Sequence, residues 1–228
     1  MASHLIYLPK RNPKLSINQF ITAWKEHSEL GKSCLNVRKL IKSAKQCARI
    51  GYPTIEGVSE AYDGLAILSL ADGVQSSDIW DDSEVLSIMK PDELRVFDDY
   101  VKNFTLEANC IFSKYPLEQS HQHCLIQLLT LDEYQSSEEL THELRAHLIH
   151  QSSNNESSFI KQKTVYLVTH QPSRQFNYDV VIATWFDSEK DALLFVDKKN
   201  LSASHLFAER FLIKQEIKLL LSVTHNRT

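Results

Sequence analysis

The 228-residue sequence predicts an α+β fold made of two β-α-β-β-α-β units in one chain, and three observations carry that expectation. The first is an internal repeat: a shift of 120 positions lays His4 to Leu8 over Cys124 to Leu128, Phe20 over Leu140, Trp24 over Leu144 and His27 over His147 without a gap. A shift of 116 brings Tyr62-Asp63-Gly64 onto Tyr178-Asp179-Val180. The second is that hydrophobic periods follow the same order in each half. The third is a glycine count of only five, with none after Gly73, which leaves no material for a phosphate-cradling loop.

The elements follow in order. Residues 5–8 form a short apolar strand, stopped by Pro9 and the turn-forming Arg11-Asn12-Pro13. Ser16 is placed to cap a helix in which Ile17, Phe20, Ile21, Trp24 and His27 share one stripe, with Gly31 as the expected stop. A weaker strand within 38–50 precedes a loop with Gly51, Pro53 and Gly57, then an apolar strand at 62–70, helices at 77–89 and 92–101, and a strand at 105–112. The second half repeats this as strand 124–130, helix 137–150, strands 164–169 and 179–186, helices 189–196 and 201–209, and a segment 211–221 whose residues 214–220 also suit a helix. Two domains are expected, 1–115 and 121–228, joined by a linker at 116–120; the polar run at 151–158 suits an exposed loop.

This order is the ferredoxin-like arrangement made twice. Each unit is a four-stranded antiparallel sheet with helices on one face. The other face is left apolar and bare, so the two sheets are expected to pack face to face into one pseudo-dimeric body.

Composition narrows the function. With 43% hydrophobic and 24% charged residues the chain has the makeup of a water-soluble protein. Its 25 basic and 29 acidic residues, net charge −4, argue against nucleic acid and membrane as partners. No nucleotide cofactor is implied, and no other cofactor is expected. Cys34, Cys47, Cys110 and Cys124 show no C-x-x-C spacing and the N-terminus has no signal-peptide run, so a cytoplasmic protein with reduced thiols is expected. His142 and His147 are five apart and diverge by about 140° on a helix, which defeats a zinc-protease reading. The pairs His147/His150 and His121/His123 lack a third ligand, so no metal site is expected.

Pro13-Lys14-Leu15-Ser16, followed by Phe20, Trp24 and His27, then Tyr62-Asp63-Gly64 opening a strand, then Asp92-Glu93 with Phe97, resembles the EthD-like family of the dimeric α+β barrel superfamily. The resemblance covers most of the first half and persists in the second as Leu140, Leu144, His147, Tyr178, Asp179 and Phe207. Where family members often carry a second His and a Pro after the first, this chain has Ser28-Glu29-Leu30. The resemblance implies a dimer-like barrel formed within the chain, compatible with a further homodimer, and a cleft between sheet and helices toward which His27 turns.

His27 is the expected catalytic acid or base, since imidazole titrates near neutrality; the bland reading is a core histidine bonded to a backbone carbonyl. Asp63, the second expected catalytic residue, either orients that histidine or is a turn residue bonded to backbone. Trp24, Tyr62, His147, Tyr178 and Asp179 are expected to line a ligand pocket, as is Trp185, although aromatics at these periods also build cores. The expected partner is a small apolar or aromatic carbonyl compound, handled by cofactor-independent proton transfer of lyase, isomerase or oxygenase type. The alternative is a non-catalytic binding or accessory protein whose cleft is filled by its own side chains.

Overall fold

The computed structural model describes residues 3–49, 55–114, 122–131, 137–151, 160–197 and 213–227. Its first half runs β1 (Ser3–Tyr7), α1 (Ile17–Ser33), α2 (Leu35–Leu40), β2 (Ile41–Ala48), β3 (Gly64–Leu70), α3 (Ser76–Trp80), a π-helical turn at Val85–Met89, α4 (Lys90–Val96), a short 3-10 turn and β4 (Thr105–Lys114). The second half runs β5 (His123–Leu131), α5 (Ser137–Gln151), β6 (Gln162–His170), β7 (Val180–Phe186), α6 (Glu189–Asp197) and β8 (Ile213–Arg227). The expected linker at 116–120, the loop at 152–158 and the helix at 201–209, with Phe207, lie outside the described residues.

All eight strands close into one antiparallel barrel in the order β1-β3-β2-β8-β5-β7-β6-β4. The first half contributes the arc β4-β1-β3-β2 and the second the arc β8-β5-β7-β6, the same order of first, second, third and fourth strand. Where the sequence predicts two sheets facing one another, the arcs also join edge to edge, β2 pairing with β8 and β4 with β6. Closure gives every strand a hydrogen-bonded neighbour on both sides. It also decides the segment at 214–220. Its composition suits a helix, but β5 and β2 both need a partner on that side, and a 15-residue strand supplies both.

Asp63 and Asp179 make matching hydrogen bonds. The Asp63 N–H donates to the Pro9 carbonyl at 2.9 Å and its Oδ2 accepts from the Arg11 N–H at 2.9 Å. The Asp179 N–H donates to the Leu129 carbonyl at 2.8 Å and its Oδ2 accepts from the Leu131 N–H at 2.8 Å. Each partner lies 120 positions from its counterpart. Tyr62 and Tyr178 meet through their hydroxyls at 2.8 Å, bringing the two related positions into contact.

Helix α1 starts as its sequence dictates. The Ser16 hydroxyl accepts from the Gln19 N–H, and the Gln19 side chain accepts from the Ser16 N–H, forming a capping box. The helix buries Phe20, Ala23, Trp24, His27 and Gly31 against the barrel. Gly31 is not the stop. The helix continues to Ser33, and Gly31 instead lets Met89 approach, since a Cβ there would stand 3.2 Å from the Met89 methyl. The helices expected at 77–89 and 92–101 are shorter and broken. Asp82 accepts from the N–H groups of Glu84 and Val85, starting a new turn. Pro91 then lacks the N–H that an α-turn would require, and the chain widens into the π-turn just before it.

Candidate functional site

Between α1, α2, the π-turn and the outer face of β1, β2 and β3 lies a cavity of about 110 Å³. Val37, Ile41, Ala66, Leu68, Val85 and Met89 make most of its wall apolar, while Tyr7, His27, Gln46, Glu93 and His225 supply polar atoms.

His27 is buried, six residues before the end of α1, with its ring edge-on to Phe97 at 5.5 Å. Its Nδ1–H donates to Asp92 Oδ2 at 2.9 Å. A carboxylate only accepts, so this bond fixes the tautomer and leaves Nε2 as the basic nitrogen. The described residues offer Nε2 no hydrogen-bond partner. Asp92 is in turn gripped by Arg95, whose Nε meets Oδ1 at 2.6 Å and whose Nη2 meets Oδ2 at 3.2 Å; Arg95 also reaches Glu26 at 2.9 Å. Burial pulls the His27 pKa below its usual value, and the hydrogen bond and charge of Asp92 oppose that pull without cancelling it. Burial by itself would raise the Asp92 pKa, but hydrogen bonds from Arg95 and His27, with their charges, hold it below the usual carboxylate range. The pair therefore rests as a neutral imidazole on an ionised carboxylate, which is the state of a general base.

Around it the cavity holds further polar groups. Burial raises the Tyr7 pKa, so its phenol stays protonated as a donor, and the described residues give its hydroxyl no partner. Burial likewise raises the Glu93 pKa, although Oε2 accepts from the Val101 N–H at 2.9 Å. Gln46 Nε2 and His225 Nε2 are buried with no hydrogen-bond partner among the described residues. Each such atom forfeits its hydration on folding, a cost that a ligand can repay.

The residues singled out from the sequence fall in different places. His27 lines the cavity. Asp63 does not. It is buried at the mouth of β3, where its carboxylate takes the Arg11 N–H, the Arg11 guanidinium and, at 3.2 Å, Arg49. It anchors the β1–α1 loop, and the carboxylate that orients His27 is Asp92. Asp63 is not bonded to its own backbone either; its partners lie 52 and 14 residues away. Trp24 packs behind the cavity, stacked on Phe20 at 5.2 Å and edge-on to Phe97 at 5.9 Å. Tyr62 and Tyr178 bond one another, with Tyr62 stacked on Phe176, and Asp179 holds the end of β5. Trp185 faces a second cavity inside the barrel. The position of His147 falls on α5, and its side chain lies outside the described residues.

Sequence reasoning gave no role to Asp92, Tyr7, Glu93, Gln46 or His225. Asp92 and Glu93 carried a local signal, being part of the resembling motif. His225 carried none, because it reaches the cavity from the far half of the chain across the β2–β8 seam. Among the described residues no three His, Cys, Asp or Glu side chains converge as metal ligands. No described helix is long and apolar enough to cross a membrane.

Neither a protein-family model nor a curated protein sequence matches this chain. Solved structures do match. An anthrone oxidase-like protein superimposes with a TM-score of 0.67 at 9% identity, covering 99% of this chain and 92% of its own. A provisionally named monooxygenase from Fusobacterium nucleatum subsp. nucleatum gives 0.57 at 8% identity over 100% and 93%. A chlorite dismutase variant from Candidatus Nitrospira defluvii gives 0.54 at 12% identity over 97% and 90%. At such identities the likeness is one of architecture, an α+β fold around an antiparallel barrel, matched along nearly the whole chain.

Proposed function

We propose that this protein binds a small apolar or aromatic carbonyl compound in the cavity beneath α1 and moves a proton there without a cofactor, with His27 as the base. The observation that carries this reading is the neutral His27 imidazole, oriented by Asp92, on the wall of a buried and mostly apolar cavity. Nε2 takes the proton from an acidic C–H or O–H of the ligand. The electron pair stays on the ligand as an enolate or phenolate, and the imidazolium is stabilised by Asp92. Tyr7 and Gln46 are the donors available to the carbonyl oxygen as charge builds on it. Lyase, isomerase and oxygenase outcomes differ only in what the enolate meets next; neighbours named for anthrone oxidation and monooxygenation favour the last. A volume of about 110 Å³ is smaller than the ~150 Å³ apolar cavity that holds benzene, so it encloses less than a whole ring and the rest of the ligand lies in the cavity's mouth. The same small volume favours a second reading, a binder without chemistry.

We read the chain as an internal pair of ferredoxin-like units, 1–115 and 121–228, akin to the EthD-like family. Support comes from the repeated strand order, the matching Asp63 and Asp179 contacts and the Tyr62–Tyr178 bond. Four free cysteines favour a reducing, cytoplasmic setting.

The test is a thermal-shift screen of small aromatic ketones, aldehydes and phenols on the native chain, His27→Ala and Asp92→Asn, followed by solvent-deuterium exchange of each hit. The expected result is a hit that stabilises the native chain, fails with His27→Ala, and still binds Asp92→Asn but exchanges at least ~10²-fold more slowly. Retention of every shift in His27→Ala removes His27 from the site, and binding without exchange selects the non-catalytic reading.

A further inference from the structure

The barrel interior holds a second site, separate from the cavity beneath α1 and independent of His27. On β1, β2 and β3 the residues Tyr7, Gln46, Ala66 and Leu68 face the helices, so their alternates His4, Lys45 and Ile67 face inward. There a cavity of about 350 Å³ draws its wall from seven of the eight strands, which only the lumen of the barrel can do.

Lys45 is the unusual member of that wall. It is 8% exposed, and among the described residues its Nζ has no hydrogen-bond partner. The Trp185 ring lies against it, with its centroid 4.1 Å away, and the thiols of Cys47 and Cys124 are near. An ammonium brings three N–H donors, and leaving them dry is costly. Burial lowers the Lys45 pKa, the sign of a charge without a counter-charge, and no acidic side chain lines the cavity among the described residues. On the opposite strands Gln162 donates through Nε2 to Thr164 Oγ1 at 3.2 Å, while its buried Oε1 has no partner. One cavity thus presents an unmatched cation, an unmatched acceptor and an aromatic face.

We infer that the lumen of the barrel is a binding site for a small carboxylate with an apolar or aromatic body. The carboxylate accepts from Lys45 Nζ, the body lies along Trp185 and Ile67, and a hydroxyl or N–H on the ligand donates to Gln162 Oε1. A single lysine, with no arginine on the wall, suits one negative charge and leaves a phosphate dianion half compensated. The volume lies at the lower end of the range of small-molecule sites, which suits a compact acid.

Benzoate and its neutral isostere benzamide are the probes, on the full chain and on Lys45→Met. Benzoate at ten times its Kd is expected to raise Tm by about 3 °C, benzamide to leave it unchanged, and Lys45→Met to lose the benzoate shift. Without ligand, Lys45→Met is expected to melt at or above the native temperature, since a methionine of similar length replaces an unpaired buried amine. A second readout needs no variant: benzoate should slow reductive methylation of Lys45 in the native chain at least fivefold relative to exposed Lys14, read by peptide mass. Equal shifts from benzoate and benzamide, a benzoate shift that survives in Lys45→Met, or no protection of Lys45 overturns the inference.

Discussion

In the first half of the chain a tryptophan on α1 rests against a glycine on β3, whereas the repeat-related positions in the second half hold a leucine and a valine. A Cβ on Gly64 would stand 2.5 Å from Trp24 Cζ3 and 2.6 Å from the Cys47 carbonyl oxygen. Leu144 and Val180 are both fully buried, in one aliphatic cluster. Neither residue matches, yet a large side chain over none has been exchanged for two of middle size. What the fold requires at this helix–strand contact is a combined volume, as expected of an interior packed at crystal-like density. The polar frame behaves in the opposite way. Asp63 and Asp179 keep both residue type and backbone bond, but Arg11, which adds its guanidinium to Asp63, corresponds to Leu131. Volume is held as a sum and the carboxylate–amide bond is held individually, because only the second depends on direction.

The packing exchange can be broken outright. Gly64→Val with Trp24 kept is expected to destabilise the protein by about 3 kcal/mol or more in urea unfolding, since neither the indole nor the backbone carbonyl can yield. Trp24→Leu should cost about 3 kcal/mol through the cavity it leaves, and the double variant should recover at least about 2 kcal/mol of the summed loss. Simple additivity would mean that the two halves do not share one packing solution.

A smaller effect sharpens the polar half of the comparison. Asp63→Ala loses a backbone bond and two guanidinium contacts, and about 2–3 kcal/mol is expected, below the figure for a wholly buried pair because both arginines are partly exposed. Asp179→Ala, judged by its Leu131 bond, should cost about 1–2 kcal/mol. Equal losses would show that the arginines add nothing to the frame.

The smallest effect is the pH dependence of His27. Its pKa is lower in the folded state than in the unfolded chain, so the unfolded state takes up more protons as pH falls through about 6.5. The stability present above that pH therefore declines on acidification, and His27→Gln should flatten the decline between pH 7.5 and 5.5. His225, whose pKa is also held low by burial, contributes in the same direction and leaves a residual slope.

Legibility in the sequence followed the range of the interactions. The α1 stripe was legible because Phe20, Trp24 and His27 recur at helical spacing, and its start because Ser16 is a capping residue just before it; the return bond from Gln19 came from the structure. The pairing of Tyr62 with Tyr178 was legible only as a repeat, without the contact that joins them. Asp63 drew attention as a carboxylate beside a strand, but a residue type cannot say which of several neighbours it will meet. Lys45 and Gln162 drew none, since a lysine in an alternating strand looks solvated until the barrel closes over it.

By itself the sequence determined where the eight strands fall along the chain and how α1 begins, both of which depend on neighbours within a few residues. Only the tertiary structure decided the company of His27, with Asp92 65 residues onward and His225 on the last strand. It also decided that Lys45 lines the lumen of the barrel. Both follow from ring closure, which satisfies strand edges through pairings no local period encodes and thereby selects the side chains left facing one another inside.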